Sequence, residues 1–242
     1  MRSINILFPV YNEERRLDRG IRITKKFTDK YMRDVDIRLT IVDNASVDRT
    51  EEIAKRLASE FSNVDYIRIQ EKGVGAAFRA GVRENSSEIV GYMDVDLSTD
   101  LYHLLDMKKI FERNPKVMMV NASKQARGAK TIGRPPIRNL TSKGLTFIMK
   151  AALGMKASDA ICGFKFFRKD FVESLIRKSD RSENGWFFLI ELLIRAERSK
   201  GIVAELPVVY RERAGGHVNV IKQIKDYLRN IKKLRRTLKN GI

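Results

Sequence analysis

Cysteine occurs once in the 242 residues, at Cys162, so no internal disulfide can staple the chain, and such usage suits a reducing compartment. No apolar run approaches the roughly 18 or more residues that a membrane span needs. The opening MRSINILFPVYNEE has too short an apolar part, met too soon by acids, to read as a signal peptide. Histidine is scarce. His103 and His217 stand alone, offer no zinc-ligand spacing, and are read as surface or core histidines. The chain lacks G-x-x-x-x-G-K-[ST], and GVGAAF places Phe78 where the dinucleotide fingerprint needs its third small residue. No Ser-His-Asp order is supported either. These absences exclude a disulfide scaffold, a zinc enzyme, a P-loop protein and an integral membrane bundle.

What is present is a globular composition, 43% hydrophobic and 32% charged, with a net charge of +18 that is unevenly placed. Between Asn121 and Ser158 there are eight Lys or Arg and no acid, and from Val220 to Ile242 another eight against Asp226 alone. Such asymmetry implies an anionic partner: nucleic acid, a phosphorylated ligand or an acidic membrane surface.

β-rich runs at 4–10, 36–43, 64–69, 88–94 and 116–123 alternate with helical stretches at 13–30, after 44, after 73 and near 101–112. This alternation predicts parallel βαβ units and an α/β sheet layered by helices. Beyond it come a Gly/Pro/Arg loop (GAKTIGRPPIRN), a helix at 139–155, a strand and helix in CGFKFFRKDFVESLI, a buried helix in WFFLIELLIRAERSK and a strand pair or bent strand in GIVAELPVVYRER. One domain over 1–216 with a tail over 217–242 is the economical division.

In open α/β sheets ligands bind beyond the carboxyl ends of the strands. Those ends here read PVYNEE, DNASVD and DVDLS, joined by the Gly-rich KGVGAAFRAG. In DVDLS, Asp94 and Asp96 are two apart, so on an extended chain both carboxylates face one way. Asp is also common in turns and at helix N-caps, and Ser98-Thr99-Asp100 reads as a helix start. A hard cation, Mg²⁺ or Mn²⁺, would resolve the like-charge repulsion, taking two carboxylates from the protein and its remaining oxygens from a nucleotide diphosphate.

In order along the chain, FPVYNEE, IVDNASVDRT, GVGAAFRAGV, YMDVDLS, DAICGFKFFRKDF, WFFLIELL and ELPVVYRE resemble glycosyltransferase family 2, from Ile4 to about Gly216. Within it the sequence is most similar to the dolichyl-phosphate glucose and mannose synthases. The resemblance implies the GT-A fold, a Rossmann-like, mostly parallel sheet flanked by helices. It also implies inverting transfer of a hexose from a nucleotide sugar, UDP-glucose or GDP-mannose, to a polyprenyl (dolichyl) phosphate. Carried over by position, Pro9, Tyr11, Asn12 and Glu13 match the first nucleotide-contacting motif, Asp43 the acid that recognises the base, and Gly73 and Gly75 the turn near the nucleotide. Asp94 and Asp96 match the metal-binding pair, and Arg127 and Arg138, with Arg134 as an alternative, match arginines that hold donor or acceptor phosphates. Asn44 stands where a second acid is frequent, and Ser98 where mannose enzymes carry Gln. DAICGFK is nearer the glucose enzymes. Of the terminal Arg-x-x-Gly-x-Ser-Lys, Arg213 and Gly216 remain, with Val218 and Asn219 replacing Ser and Lys.

A phosphate acceptor is already ionised at neutral pH and needs no base; a sugar hydroxyl would need one. Asp159 is the candidate base, its alternative being a turn or loop cap. In the tail, Ile221, Ile224, Leu228, Ile231, Leu234 and Leu238 form one apolar stripe among lysines and arginines. Three readings fit it: a helix lying in an anionic membrane interface, a helix packed on the domain, and a coiled-coil strand. The interface reading is favoured, with the helix at 139–155 (Leu145, Phe147, Ile148, Met149, flanked by Lys143 and Lys150) as a second contact. The expectation is a peripheral protein on the cytoplasmic membrane face. Rival readings are a family member with a saccharide or protein acceptor, and a basic nucleic-acid-binding protein. The latter is disfavoured because the basic region is mostly aliphatic between its charges, without interleaved stacking aromatics.

Overall fold

The computed structural model describes residues 1–213 and 220–239. Seven strands form one sheet in the order β3-β2-β1-β4-β7-β5-β8. In chain order they are β1 (Ser3–Val10), β2 (Asp36–Asn44), β3 (Val64–Ile69), β4 (Ile89–Met93), β5 (Val117–Ser123), β7 (Phe164–Arg168) and β8 (Ile202–Pro207). β7 alone runs antiparallel, against both β4 and β5. A second, two-stranded parallel sheet pairs β6 (Lys130–Ile132) with β9 (Val209–Arg211). The helices are α1 (Leu17–Tyr31), α2 (Thr50–Glu60), α3 (Val74–Arg83), α4 (His103–Arg113), α5 (Pro136–Leu153), α6 (Lys169–Lys178), α7 (Phe187–Arg198) and α8 (Val220–Lys239).

Alternation along the strands builds two core layers. Ile4, Ile6 and Phe8 of β1 point to the layer that α1, α2 and α4 cover. Leu7, with Val90 and Tyr92 of β4, points to the opposite layer under α3, α5, α6, α7 and α8. The same period puts Lys165, between Phe164 and Phe166, on the second side, fully buried in the sheet.

The α/β alternation expected from the sequence is observed, and two segments depart from it. GAKTIGRPPIRN is not loop throughout, since its start forms β6 and its end opens α5 at Pro136, a first-turn position that proline suits. The tail does form a helix, and part of its apolar stripe, Ile231, Leu234 and Leu238, lies against the domain. Tyr227, Ile231 and Leu234 are buried among residues of α5 and α7, Leu238 packs beside them, and Leu228 is left exposed. The domain offers an apolar surface there, and burying the stripe against it takes the same area from water that a bilayer would. Leu145 and Met149 of α5 are likewise turned into the core, whereas Phe147 and Ile148 face out. Gly216, His217, Val218 and Asn219, the 216/217 boundary, and the side chains of Ile221 and Ile224 lie outside the described residues.

Candidate active site

Because β1, β2, β4, β5 and β8 are parallel, their carboxyl ends share one edge, and antiparallel β7 brings the Asp159–Gly163 segment to that edge as it enters the sheet. Three non-glycine residues take left-handed backbone there, Asn12, Ala45 and Leu97, with φ of 56°, 58° and 56°, turning the chain sharply after β1, β2 and β4. The first two turns are tied together. The Asn12 amide donates to Ser46 Oγ at 3.0 Å, and Asn12 Oδ1 accepts from Val47 N at 2.9 Å. Pro9 pairs with Val42 one residue before the β1 ladder ends at Val10 opposite Asp43, and the exposed Tyr11 accepts a hydrogen bond from Lys72 Nζ at 3.0 Å.

Asp43, at the end of β2, is fully buried and satisfied. Its carboxylate accepts from Ser46 N at 2.9 Å, Tyr66 Oη at 3.1 Å and Arg68 Nη1 at 2.9 Å. It therefore fixes the Ser46 turn and the Arg68 guanidinium at the cleft wall. Glu13 forks onto Arg16 at 2.7 and 2.9 Å, and burial nevertheless raises its pKa.

Asp94 and Asp96 follow β4. Ser98 N donates to Asp96 Oδ1 at 2.9 Å, closing the turn. The Asp94 carboxyl lies directly over Gly163, where an added Cβ would come within 2.0 Å of Asp94 Oδ2, so a residue without a side chain is needed beneath it. Burial first, then the neighbouring Asp96 charge, pushes Asp94 up to about 7, against Lys124 and Lys165 pulling it down. An Asp94 carboxylate destabilised by burial and by the Asp96 charge, with Asp96 itself beside it, forms an oxygen-only donor set that suits a hard divalent cation. Among the described residues no third acidic, histidine or cysteine side chain completes a cluster, so the remaining ligands would fall to substrate phosphates.

Behind the pair is a buried charged layer. Asp159 is 0% exposed. Its Oδ2 accepts from Lys124 N at 3.0 Å and its Oδ1 from Ile161 N at 2.8 Å, with Lys124 Nζ 3.7 Å away. Burial pushes its pKa up, but the charges of Lys124 and Lys165 and the two amides outweigh this and hold it below the usual range. Lys165 donates to Cys162 O at 2.8 Å, and burial brings its pKa down to about 8. Neither Lys124 nor Lys165 stands out in the sequence as a site residue. Lys124 belongs to the acid-free segment, which offers a signal, whereas Lys165 sits in CGFKFF, whose apolar neighbours hide it.

The arginines form a third group. Arg134 Nη1 meets Glu212 Oε2 at 3.2 Å, Arg138 also pairs with Glu212, and Arg134 Nη2 bonds Arg138 O at 3.3 Å. Arg127 is exposed on the loop after β5, and Arg213 is exposed after β9. Glu212, the residue joining the two arginines, carries no signal in the sequence. β9 connects this group to the aspartates: Arg211 N donates to Ser98 O at 2.7 Å, Asp100 N to Val209 O at 3.1 Å, and Thr99 bridges Tyr210. His103 supports the same strand. Its Nε2 accepts from Val209 N at 2.8 Å, which places the ring proton on Nδ1, facing Asp106 at 3.0 Å.

Gly73 and Gly75 make a close contact within the chain. Gly73 has φ 132°, and Gly75 N donates at 2.8 Å to Asn184 O, which lies where a Gly73 Cβ would be. The turn thus docks α3 onto the segment before α7. A cavity of about 330 Å³ lies between α6, α7 and α8, and polar groups lining it pair with one another, Lys233 with Asp180 at 2.5 Å and Asn230 with Glu183 at 2.6 Å.

Several known proteins are similar to this chain. "Glycosyltransferase AglD" of Haloferax volcanii is 26% identical over 223 residues, covering 92% of this chain and 35% of that protein. "Dolichol-phosphate mannosyltransferase" of Pyrococcus furiosus is 29% identical over 236 residues, covering 96% and 63%. "Dolichyl-phosphate beta-glucosyltransferase ALG5D" of Trichomonas vaginalis is 26% identical over 230 residues, covering 92% and 70%. The chain therefore spans only part of these relatives, about a third of the first. The fold is shared with the glucosyl-3-phosphoglycerate synthase of Mycobacterium tuberculosis, solved with UDP, at TM-score 0.69 and 19% identity over 98% of this chain and 80% of that one. That architecture is GT-A. The family profile described as Glycosyl transferase family 2 matches residues 5–176, and the chain belongs to that family.

Proposed function

We propose that the protein transfers a hexose, glucose or mannose, from UDP-glucose or GDP-mannose to a polyprenyl phosphate at a membrane surface, with inversion at the anomeric carbon. The observation that carries this reading is Asp159. The one candidate base lies fully buried with both carboxylate oxygens engaged by backbone amides, so it is not placed to deprotonate a sugar hydroxyl. An acceptor phosphate brings its own ionised oxygen. That oxygen bonds to the anomeric carbon as the bond to the nucleoside diphosphate breaks, and the electron pair leaves with the diphosphate.

Asp94 and Asp96 would hold Mg²⁺ or Mn²⁺, whose charge neutralises the departing diphosphate. Pro9, Tyr11, Asn12, Glu13 and Asp43 line the nucleotide side, Asp43 acting through Ser46 and Arg68, which it holds in place. Arg127, Arg134 and Arg138 supply positive charge for donor and acceptor phosphates. Lys124 and Lys165 balance Asp94 and Asp159 from below. The named relatives of Pyrococcus and Trichomonas support a dolichol-phosphate acceptor. No helix among the described residues is long and apolar enough to cross a membrane, which agrees with peripheral attachment, on the cytoplasmic face in this reading.

The test is a mass-spectrometric transfer assay with UDP-glucose or GDP-mannose, a short polyprenyl phosphate, and Mn²⁺ or Mg²⁺. A glycosyl-phosphoryl lipid, lost in Asp94→Asn and Asp96→Asn, is the expected result. Transfer only to a saccharide hydroxyl, or undiminished turnover in both variants, would sink the proposal.

A further inference from the structure

Residues 180–185, between α6 and α7, include no apolar side chain, and none of the six is buried. Burial therefore does little to hold this segment, and polar contacts fix its place. At its start Asp180 N donates to the buried Glu191 carboxylate of α7 at 3.2 Å. From one side come the contacts of α8. Lys233 Nζ reaches Asp180 Oδ2 at 2.5 Å and Ser182 Oγ at 3.1 Å, and Asn230 Nδ2 donates to Glu183 Oε2 at 2.6 Å. Glu183 Oε1 in turn accepts from Gly185 N at 2.7 Å. On the other side is α3. Its Arg79, 4.4 Å over the Phe188 ring, donates to Glu183 O at 2.9 Å and to Asn184 Oδ1. Asn184 O takes the amides of Gly75 and Ala76 at 2.8 and 3.2 Å, so two of the N–H groups that open α3 are spent on this segment rather than on a ligand. The fit admits no side chain: a Cβ on Gly73 would lie 2.0 Å from Asn184 O, and one on Gly75 2.9 Å from Gly185 O.

We infer that α8 is a strap that sets nucleotide affinity: through residues 180–185 it seats the turn at 73–75, and the turn carries that position to the nucleotide side of the cleft. The reach into the cleft is Lys72, whose Nζ donates to Tyr11 Oη at 3.0 Å and lies 4.9 Å from the centre of that ring. The link to the nucleotide rests on the proposed function, in which Tyr11 lines the donor side; the seating of the turn does not. Asn230 and Lys233 are thus positioning residues, acting on the donor through two other segments. The helix itself is anchored by apolar burial, with Ile231 and Leu234 in the core and the Tyr227 ring 6.1 Å from that of Phe187. Its polar side chains pass this fixed position to a segment that has no apolar anchor of its own. Without them, residues 180–185 keep only the contacts from Glu191 and Arg79, and the turn gains freedom. Nucleotide binding must then order Lys72 and Tyr11 itself, at a cost in affinity.

The experiment pairs hydrogen–deuterium exchange of the full chain with calorimetric titration of UDP and GDP in the presence of Mn²⁺. In a double variant, Asn230→Ala with Lys233→Ala, the amides of Gly75 and Ala76 are expected to exchange about tenfold faster. Affinity for whichever nucleotide wild type binds is expected to fall about three- to tenfold. Exchange in β1 and β4 should be unchanged, which separates a loosened turn from a loosened fold. Lys233→Arg keeps the cation and is expected to retain the affinity that Lys233→Ala loses. The control is Arg229→Ala, which breaks the exposed pair with Asp226 on the same helix and should change neither readout. Unchanged exchange at Gly75 and Ala76 in the double variant would overturn the strap. Faster exchange with unaltered nucleotide affinity would overturn its link to the cleft. Wild type that binds neither nucleotide would defeat the donor reading, and exchange alone would then decide whether α8 seats the turn.

Discussion

Arg134 and Glu212, 78 positions apart in the chain, meet at 3.2 Å, and the same carboxylate also engages Arg138. The two guanidinium groups proposed to hold a phosphate thus share one carboxylate partner. An acceptor phosphate competes with Glu212 for the same donors. Glu212→Gln keeps the shape and removes the competing charge, so the acceptor KM is expected to fall by about two- to fivefold with the donor KM unchanged. A raised or unaltered acceptor KM in steady-state kinetics would assign the arginines elsewhere.

Asp94 has a pH signature. Its folded pKa, about 7, lies above the ordinary carboxyl value of 3.8, so between those values the folded state keeps a proton that the unfolded chain has lost. Stability therefore declines as pH rises through that window and levels off above it. Asp94→Asn removes the penalty, at most about 1.4 kcal/mol for each tenfold change in proton affinity. In thermal melts without metal the variant is expected to exceed wild type at pH 8 and to match it near pH 4. Mn²⁺ is expected to raise the wild-type Tm at pH 8 more than at pH 5, and to leave Asp94→Asn unmoved.

Gly163→Ala tests the packing beneath that carboxylate. The new methyl would sit 2.0 Å from Asp94 Oδ2 and must displace it. The expected result is loss of the Mn²⁺-dependent Tm shift by about tenfold weaker binding or more, in a protein whose circular dichroism is unchanged. Normal metal response in Gly163→Ala would show that Asp94 does not need this seat.

Asp159→Asn separates an anchoring role from a basic one. Removing the buried charge beside Lys124 and Lys165 is expected to cost about 3 kcal/mol in chemical denaturation. The pH–rate profile of the residual activity should keep its shape. Loss of its acidic limb would restore Asp159 as a general base.

The main sheet is legible in the sequence because its strands are short β-branched and aromatic runs bounded by turn residues, as in INILFPV and DIRLTIVD. The edge loops are legible because polar residues stop those runs. β6 is not, since Lys130, Thr131 and Ile132 are all exposed and show no alternation. Nor is the docking of α8. An apolar stripe at helical spacing states that one side must be covered, and says nothing of what covers it, so Tyr227, Ile231 and Leu234 read equally well as facing lipid or facing α7. In the site, Asp94 and Asp96 are visible as a local pair, while Glu212 and Lys165 gain meaning only from partners distant in sequence. The Gly73–Gly75 turn matches a nucleotide-side turn by position, yet its close approach is to Asn184.

β9 has a kinetic consequence. Three residues of strand hold the Asp96–Ser98 turn on one side through Arg211 N and Tyr210, and lead directly into Glu212 on the other. In the proposed function, seating a diphosphate against the aspartates would set the strand whose next residue pairs with the arginines proposed to hold the acceptor. Such a linkage favours a compulsory order, donor before acceptor. Its signature in initial-rate experiments is a nucleoside diphosphate product that competes with the donor and is noncompetitive toward the acceptor.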